Sequence, residues 1–184
     1  MPSAFGHAAV ALAIGTVVRP AEAPARFWAL GAACAMLPDL DVVAFRFGIP
    51  YGHVLGHRGL SHSVLFAAAL AALVTWGFFG GTRWVALRGR LWAYFFLVTA
   101  SHGVLDAMTN GGLGIAFFAP IENSRYFLPW RPIEVSPISV QRFFDGRGLA
   151  VLASEARWVL LPSALLVVSS SVWRRMRRRS GAAA

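Results

Sequence analysis

The sequence predicts an all-α fold, a polytopic membrane helix bundle of four to five spans that forms a single integral-membrane domain over residues 1–184. Composition is the first reason: 57% of the residues are hydrophobic and only 14% are charged, which is unlike a soluble domain. Patterning is the second reason, because the apolar residues form segments that approach the ~20 residues of a membrane-spanning helix. The third is that most arginines flank these segments, as topological anchors do.

Five apolar segments account for the predicted helices. They are Phe5–Val18, Phe27–Phe45, Ser61–Gly80, Leu91–Thr109 and Trp158–Trp173. The first is short, but it lacks the features of a cleaved signal peptide, so we expect it in the mature structure. The third and fifth are plain spans, whereas the second and fourth carry aspartate or histidine in their last turns.

The arginines also predict an orientation. All 17 basic residues are arginine, and the motif R-R-M-R-R-R opens a basic tail, 174–184, that we expect to be cytoplasmic. Tracing the chain back from this tail puts the starts of the first and third segments, and the ends of the second and fourth, on the outer side. Although the net charge of +9 could suit nucleic acid, we expect no such partner, because the arginines flank apolar segments. The sequence predicts no oligomeric state.

A long connection, 110–157, separates the fourth and fifth segments, and we expect it to form an external lid or an interfacial loop, with room for short helices. It is polar, contains several prolines and is rich in aromatic residues, and a connection of this length usually has a function or a small fold of its own. Its aromatic residues could form an acyl-facing wall or an interfacial belt. These residues are Phe117, Phe118, Phe127 and Trp130.

Seven residues of metal-ligand type fall on the predicted outer side, at one membrane level. They come from four segments: His7, Asp39, Asp41, His57, His62, His102 and Asp106. Polar side chains are costly at membrane depth, and their concentration at one level indicates a functional site. We therefore predict that all seven are metal ligands.

Two motifs supply the carboxylates of this site. His102 and Asp106 are four residues apart, so a helix projects both from one face; the alternative is a His–Asp hydrogen bond that ties helices together. The P-D-L-D motif offers Asp39 and Asp41, which cannot share one α-helical face, so we expect a bent or extended chain there. The alternative is a helix end capped by aspartates, which the helix dipole disfavours.

The stretch H-R-G-L-S-H-S at 57–63 supplies two of the imidazoles. Arg58 between them could bind a phosphate or carboxylate oxyanion, or could extend to lipid headgroups as an interfacial anchor. His53 precedes the motif and is expected to be an ordinary loop residue. The predicted substrate-binding residues are Arg58, Ser61, Ser101 and Asn110.

Imidazole and carboxylate ligands suit zinc, manganese or iron, and we predict two or more ions, most plausibly zinc. Two such ions would activate a water for phosphoester hydrolysis, and we predict a metal-bound water held by Asp39, His62 and Asp106. The single cysteine, Cys34, excludes an internal disulfide and a cysteine-based metal site.

The early G-H, the P-D-x-D, the H-R-G-x-(S/T)-H-S and the S-H-x-x-x-D motifs together resemble the YdjM type of small bacterial inner-membrane proteins. These are described as membrane-bound metal-dependent hydrolases. The resemblance covers roughly residues 1–115 and a similar C-terminal helix. This type is in turn similar to zinc-dependent phospholipase C and the zinc single-strand nucleases, which are all-helical with trinuclear His/Asp sites. It implies ligand positions at His7, Asp39, His57, His62, His102 and Asp106, with Asp41 in the same motif. The soluble relatives also use an amino-terminal tryptophan, for which Met1-Pro2 is no obvious replacement, so the resemblance does not extend to a third metal.

The expected function is that of a membrane-bound metal-dependent hydrolase in the bacterial inner membrane, with the site on the periplasmic side. A site at headgroup depth meets amphiphiles first, so we expect a phosphodiesterase or phospholipase-like enzyme that acts on lipid or lipid-linked phosphate. Two alternatives stay open: a non-catalytic metal-binding sensor or transporter, and a lipid amide or ester hydrolase.

Overall fold

The structure is a computed structural model that describes residues 1–181. Over this range the chain is helical or irregular and contains no extended strand, which confirms the all-helical prediction. Four helices form the first part: α1 (Ala4–Val18), α2 (Ala25–Met36), α3 (Val64–Phe78) and α4 (Arg88–Ala107). Short 3₁₀ segments lie between them at Leu37–Phe47, Leu60–His62 and Thr82–Leu87.

The last part of the chain is a nearly continuous helical rod. It consists of α5 (Val140–Arg142), α6 (Gly148–Glu155) and α7 (Leu161–Gly181), joined by π-helical turns at Phe143–Arg147 and Ala156–Leu160. The rod begins well before the predicted start at Trp158, so the predicted loop 110–157 is irregular only in its first part. Alanine, leucine and glutamate favour a helix here, although charged residues interrupt the apolar pattern. Of the predicted basic tail 174–184, residues 182–184 lie outside the described residues.

Helix α4 lies at the centre of the bundle and packs against α1, α2 and α3. Its Tyr94 is buried, stacks on Phe27 of α2 and donates a hydrogen bond of 3.3 Å to the carbonyl of Ala11. Gly31 makes this approach possible, because a Cβ atom at that position would lie 1.9 Å from the Tyr94 hydroxyl. A small residue in α2 therefore sets the spacing between α2 and α4.

Two helical stretches of the described chain are long and apolar enough to cross a membrane, namely Ala25–Phe47 and Gly148–Ser180. Helices α1 and α3 are apolar but contain only 15 residues each. The predicted count of four to five spans is therefore not confirmed. Large apolar side chains of α7, among them Leu161, Leu165 and Val168, are exposed, as expected of a helix that faces lipid.

The irregular segment 108–139 is ordered by backbone hydrogen bonds to both sides of the bundle end. Leu128 donates to the carbonyl of Ala107, the last residue of α4, over 3.0 Å, and Val64, the first residue of α3, donates to that of Phe117 over 3.0 Å. The segment therefore packs across the end of the bundle at which α3 begins and α4 ends.

Candidate metal centre

All seven residues that the sequence predicts as ligands gather at this end of the bundle, where they form what we call the His/Asp cluster. His7 lies in the first turn of α1, Asp39 and Asp41 in the 3₁₀ segment after α2, His57 in the following loop, His62 just before α3, and His102 and Asp106 near the end of α4. Four candidate ligands have atoms within 4.8 Å of one another; this inner group consists of Asp39, His62, His102 and Asp106. The inner group could hold a metal ion.

The 3₁₀ helix after Met36 allows both aspartates of P-D-L-D to face the cluster. Residues two apart lie about 120° apart around a 3₁₀ helix of three residues per turn, but about 160° apart around an α-helix. The chain is thus tightly coiled where the sequence predicted a bent or extended backbone. Asp39 consequently approaches His102 (Oδ1 to Nε2, 3.3 Å), while Asp41 approaches His57 (Oδ1 to Nδ1, 2.6 Å).

Two imidazoles of the inner group point the same kind of nitrogen at each other. The Nδ1 of His102 lies 2.6 Å from the carbonyl oxygen of Ala35, and that of His62 lies 2.9 Å from the Ser61 hydroxyl. The Ala35 carbonyl can only accept, and the Ser61 hydroxyl already donates to Asp41, so both Nδ1 atoms are assigned a hydrogen. The two Nε2 atoms, 3.0 Å apart, then face each other, so that either a proton or a cation must lie between them.

The surrounding carboxylates strengthen this demand for positive charge. Carboxylate oxygens of Asp39, Asp41 and Asp106 lie 3.7, 3.2 and 3.5 Å from ring nitrogens of His62 and favour a positive charge there. Neither oxygen of Asp106 has a hydrogen bond of good geometry, and the same holds for Oδ1 of Asp39. Buried carboxylate oxygens without donors are costly. A proton on His62 meets part of this demand, whereas a divalent cation would meet all of it.

Asp41 holds the imidazoles rather than facing the centre of the inner group. Its Oδ1 accepts from Nδ1 of His57 at 2.6 Å, and its Oδ2 accepts from the hydroxyl of Ser61 at 2.6 Å and the backbone N–H of Arg58 at 3.0 Å. With His57 and His62 it forms a second possible metal group, the outer group. Because both Asp41 oxygens already have donors, its contacts match those of a carboxylate that orients ligating histidines.

His7 completes the cluster from the first turn of α1. Its ring stacks on that of His102 with centroids 3.8 Å apart, and its Nε2 lies 3.6 Å from Oδ1 of Asp106. Both ring nitrogens of His7 are buried without a hydrogen-bond partner. His7 therefore has free ring nitrogens beside the inner group, and its predicted role as a ligand stays a prediction.

Glu155 is a buried acid that the sequence analysis missed. The backbone N–H and the hydroxyl of Ser3 both donate to its carboxylate, the hydroxyl over 2.6 Å, and Ser3 also caps the N-terminus of α1. Glu155 thus fixes the helix turn that carries His7. The available signal was an acidic residue within the apolar stretch V-L-A-S-E-A, 152 positions from the Ser3 that it holds.

Arg58 points into the protein rather than toward lipid headgroups. It is buried with φ 63°, its Nε lies 3.2 Å from Oδ2 of Asp106, and its terminal nitrogens donate to the Gly111 carbonyl (2.9 Å) and the Thr109 hydroxyl (3.1 Å). Gly112 leaves room for the guanidinium, because a Cβ there would lie 2.5 Å from it. Arg58 therefore links the cluster to the irregular segment.

The remaining predicted residues are less close to the cluster. The Ser101 hydroxyl donates to the Val98 carbonyl of its own helix over 2.8 Å, and the Asn110 amide donates to Glu134 over 2.6 Å. His53 is exposed and its ring accepts from the N–H of Leu55, in keeping with a loop residue. A substrate role for Ser101 and Asn110 stays a prediction.

Two cavities border the cluster. One, of about 470 Å³, is lined by Tyr51, His57, Arg58, the stretch 135–139, Arg142 and Arg147, among others. The other, of about 390 Å³, is an apolar groove between α1 and α2 that includes Asp39. Met1 lines both; its amino nitrogen lies 3.9 Å from Asp106, and burial lowers the pKa of this amino group to about 6.

The aromatic residues of the irregular segment do not form one wall at these cavities. Phe117 and Phe118 line a separate apolar pocket of about 510 Å³ beside the start of α3. Trp130 packs edge to face on Trp158, with centroids 4.9 Å apart. Arg131 lies over the ring of Phe127. The four residues therefore share no surface that could form one acyl-facing wall.

Known proteins resemble the chain over almost its full length. The family model described as YdjM inner membrane protein matches residues 1–179. Inner membrane protein YbcI of Escherichia coli (strain K12) is 40% identical over 176 residues, which cover 95% of this chain and 99% of that relative. No solved structure matches the chain significantly. The chain therefore belongs to the YdjM inner membrane protein family.

Proposed function

We propose that this protein is a membrane-bound metal-dependent hydrolase that acts on a lipid or lipid-linked phosphoester in the bacterial inner membrane. The observation that carries the proposal is the pair of facing Nε2 atoms of His62 and His102, set among buried carboxylate oxygens that lack donors. An arrangement of this kind attracts a divalent cation. The arginine tail would be cytoplasmic, and the cluster would face the periplasm.

The donor set indicates which ion would bind. Imidazole nitrogens with carboxylate oxygens, and no thiolate, suit zinc first, with manganese or iron as substitutes. The inner group would hold one ion. The outer group, which shares His62, would hold a second one only after the Nδ1 atoms of His57 and His62 had lost the hydrogens that now bond Asp41 and Ser61. Bound divalent cations would supply Lewis acidity toward phosphoryl oxygens and a water of lowered pKa.

Side chains of the cluster would handle the proton of the attacking water and hold the ligands in position. The side chain of Asp39 is 14% exposed while those of His62, His102 and Asp106 are fully buried, so Asp39 would be the group that meets an attacking water and accepts its proton. Asp41 would hold His57 and His62 in their tautomers. Arg58 would hold Asp106 in place by its charge.

The two cavities support an amphiphilic substrate. The larger one offers Arg142, Arg147 and Tyr51 to an anionic headgroup, and the buried Arg58 in its wall adds positive charge. The groove between α1 and α2 offers an apolar surface that reaches Asp39. A lipid could lay its chain in this groove and its headgroup in the cavity, with the phosphoester between them at the cluster.

A transport function is less well supported. A pathway would need polar groups through the bundle, but the core between α1, α2, α3 and α4 is apolar and contains Phe27, Phe79 and Phe95. The described polar cluster is confined to one end. A lipid amide or ester hydrolase would use the same groups. The assay distinguishes it from the proposed phosphoesterase by the type of bond that is cleaved.

The test combines metal analysis with an unbiased search for phosphoester cleavage. Protein purified in detergent is loaded with zinc or manganese and incubated with mixed micelles of bacterial phospholipids, and ³¹P NMR detects any cleaved phosphoester. The proposal expects about two ions per chain and a product that disappears in Asp39→Asn. Glu155→Gln is the matched comparison, because it also removes one buried carboxylate charge. Since Glu155 holds only the helix turn of His7, this variant should keep the ion of the inner group and lose less product than Asp39→Asn.

Two outcomes would contradict the proposal. Metal-loaded protein that cleaves lipid amides or carboxylic esters, detected by mass spectrometry of the same micelles, would assign the other bond type. Metal-loaded protein that cleaves no lipid would indicate a binding function only.

A further inference from the structure

The end of the bundle opposite the His/Asp cluster is strongly basic. Helix α1 runs from His7 at the cluster to Arg19 just beyond its other end, and α4 runs in the reverse direction from Arg90 to Asp106. The guanidinium of Arg90 donates to the carbonyl of Arg19 over 3.2 Å, which brings the two helix ends together. Helix α7 packs along α1 and reaches the same end, where its last turns carry five arginines.

Five arginines, one at the C-terminal end of α1 and four in α7, surround one groove at this end. The groove has a volume of about 420 Å³ and is lined by Ser171 and by Arg19, Arg174, Arg175, Arg178 and Arg179. We call it the arginine groove. Among the side chains that the structure describes, no carboxylate forms an ion pair with these arginines. Like charges this close repel one another, and an anion between them would relieve the repulsion.

An apolar groove adjoins the arginine groove on the side toward the bundle middle. It has a volume of about 430 Å³, lies between α1 and α7, and shares Arg174 with the arginine groove. Val17, Leu166 and the ring of Trp173 supply its apolar surface. Nearby, the hydroxyls of Thr16 and Ser170 are hydrogen-bonded at 2.9 Å, which holds α1 and α7 at a constant separation there.

We propose that these two grooves bind one anionic phospholipid, with its phosphate in the arginine groove and an acyl chain in the apolar groove. The apolar groove decides for a lipid over a free phosphate, because a soluble anion would leave that surface uncovered. The arginine-rich end also lies where the sequence predicts the cytoplasmic leaflet, whose anionic lipids attract basic residues next to a membrane helix. This site is separate from the His/Asp cluster and does not depend on hydrolase activity.

The test measures lipid binding to the full chain by native mass spectrometry in a neutral detergent. Phosphatidylglycerol is titrated beside phosphatidylcholine with the same acyl chains, and glycerol 3-phosphate serves as the soluble headgroup. We expect one phosphatidylglycerol per chain, bound at least tenfold more tightly than phosphatidylcholine and not displaced by millimolar glycerol 3-phosphate.

Single arginine substitutions separate a built site from general attraction to a basic tail. Arg174→Gln and Arg19→Gln should each weaken phosphatidylglycerol binding about fivefold, the factor for one charge removed beside an anionic headgroup. Arg177→Gln is the matched control: it removes the same charge from the same tail, but Arg177 lies over the Trp173 ring and does not line the arginine groove. Its effect should stay below twofold.

Three results would overturn the proposal. Equal binding of phosphatidylcholine would remove the headgroup selectivity, and equal losses in Arg174→Gln and Arg177→Gln would indicate diffuse attraction to the tail. Displacement by glycerol 3-phosphate would indicate a site for soluble anions. Circular dichroism of each variant controls for folding.

Discussion

Asp106→Asn tests whether the inner group binds a metal ion. Asp106 is fully buried and its oxygens lie 3.5 Å from Nε2 of His62, 3.6 Å from Nε2 of His7 and 3.2 Å from Nε of Arg58. Asparagine has nearly the same shape, so the substitution removes a charge and one ligand oxygen while leaving the packing almost unchanged. If a cation binds here, this variant should lose most of its affinity.

The expected size follows from the contacts. Even residues that only orient ligands contribute about 10- to 100-fold in metal affinity, so we take 100-fold as a lower bound for a group that faces the centre. At free zinc 1,000 times the wild-type Kd, binding stabilises the fold by about 4.1 kcal/mol, and a 100-fold loss leaves about 1.4 kcal/mol. The difference of about 2.7 kcal/mol corresponds to roughly 5–11 °C in Tm for a chain of this size.

The assay compares Tm with and without a chelator, together with elemental analysis of the same samples. On chelation, the wild type should lose its metal and its Tm should fall. Asp106→Asn should contain little metal from the start, so the chelator should change its Tm little. Glu155→Gln is the control: it should lower Tm through its bonds to Ser3 but keep metal and chelator response. Wild-type metal content in Asp106→Asn would refute the assignment, and a metal-free wild type would leave a proton-bridged contact between helices.

Three further substitutions test the surroundings of the cluster. Asp41→Asn should weaken metal binding about 10- to 100-fold, because Asp41 orients imidazoles. The inner group of this variant should still fill at excess zinc. An unchanged affinity in a competition titration would contradict that role. Arg58→Lys keeps the charge beside Asp106 but loses the forked bonds, so the free energy of unfolding should fall by about 1–3 kcal/mol in denaturant titrations; a neutral result would mean that the bonds contribute nothing. Gly31→Ala should lower the free energy of unfolding by about 1–3 kcal/mol through overpacking. Tyr94→Phe in the same chain should restore part of this loss, because the Tyr94 hydroxyl is the nearest atom to the new methyl group. Equal Tm values for the single and double variants would contradict this account.

The sequence predicted the cluster because its members obey local rules. His102 and Asp106 share a helix face through their spacing, and histidines next to apolar segments have few structural uses. The seven predicted ligands meet because the helices that carry them alternate in direction. Helix periodicity predicts the shared helix face, and the arginine distribution predicts the alternating directions of the helices.

Other features depend on contacts that no local pattern encodes. Glu155 holds Ser3 across 152 positions, and Arg58 turns inward only because its backbone adopts φ 63° and Gly112 leaves room for it. The division of labour between Asp39 and Asp41 depends on a 3₁₀ helix, whereas helical periodicity alone suggests an α-helix or a break. The early start of the last helix escaped prediction because charged residues interrupt its apolar pattern.

The charge of the cluster links the metal to the choice of substrate. Asp39, Asp41 and Asp106 carry three negative charges and Arg58 one positive charge, so with neutral imidazoles the site has a formal charge of −2. One divalent cation would neutralise it, which is favourable in a buried site. A second cation would leave an excess of two positive charges, which a metal-bound hydroxide and an anionic ligand would offset between them. A phosphoester brings such charge to the cluster and a neutral amide does not, so a two-metal form of this site favours a phosphate substrate over an amide.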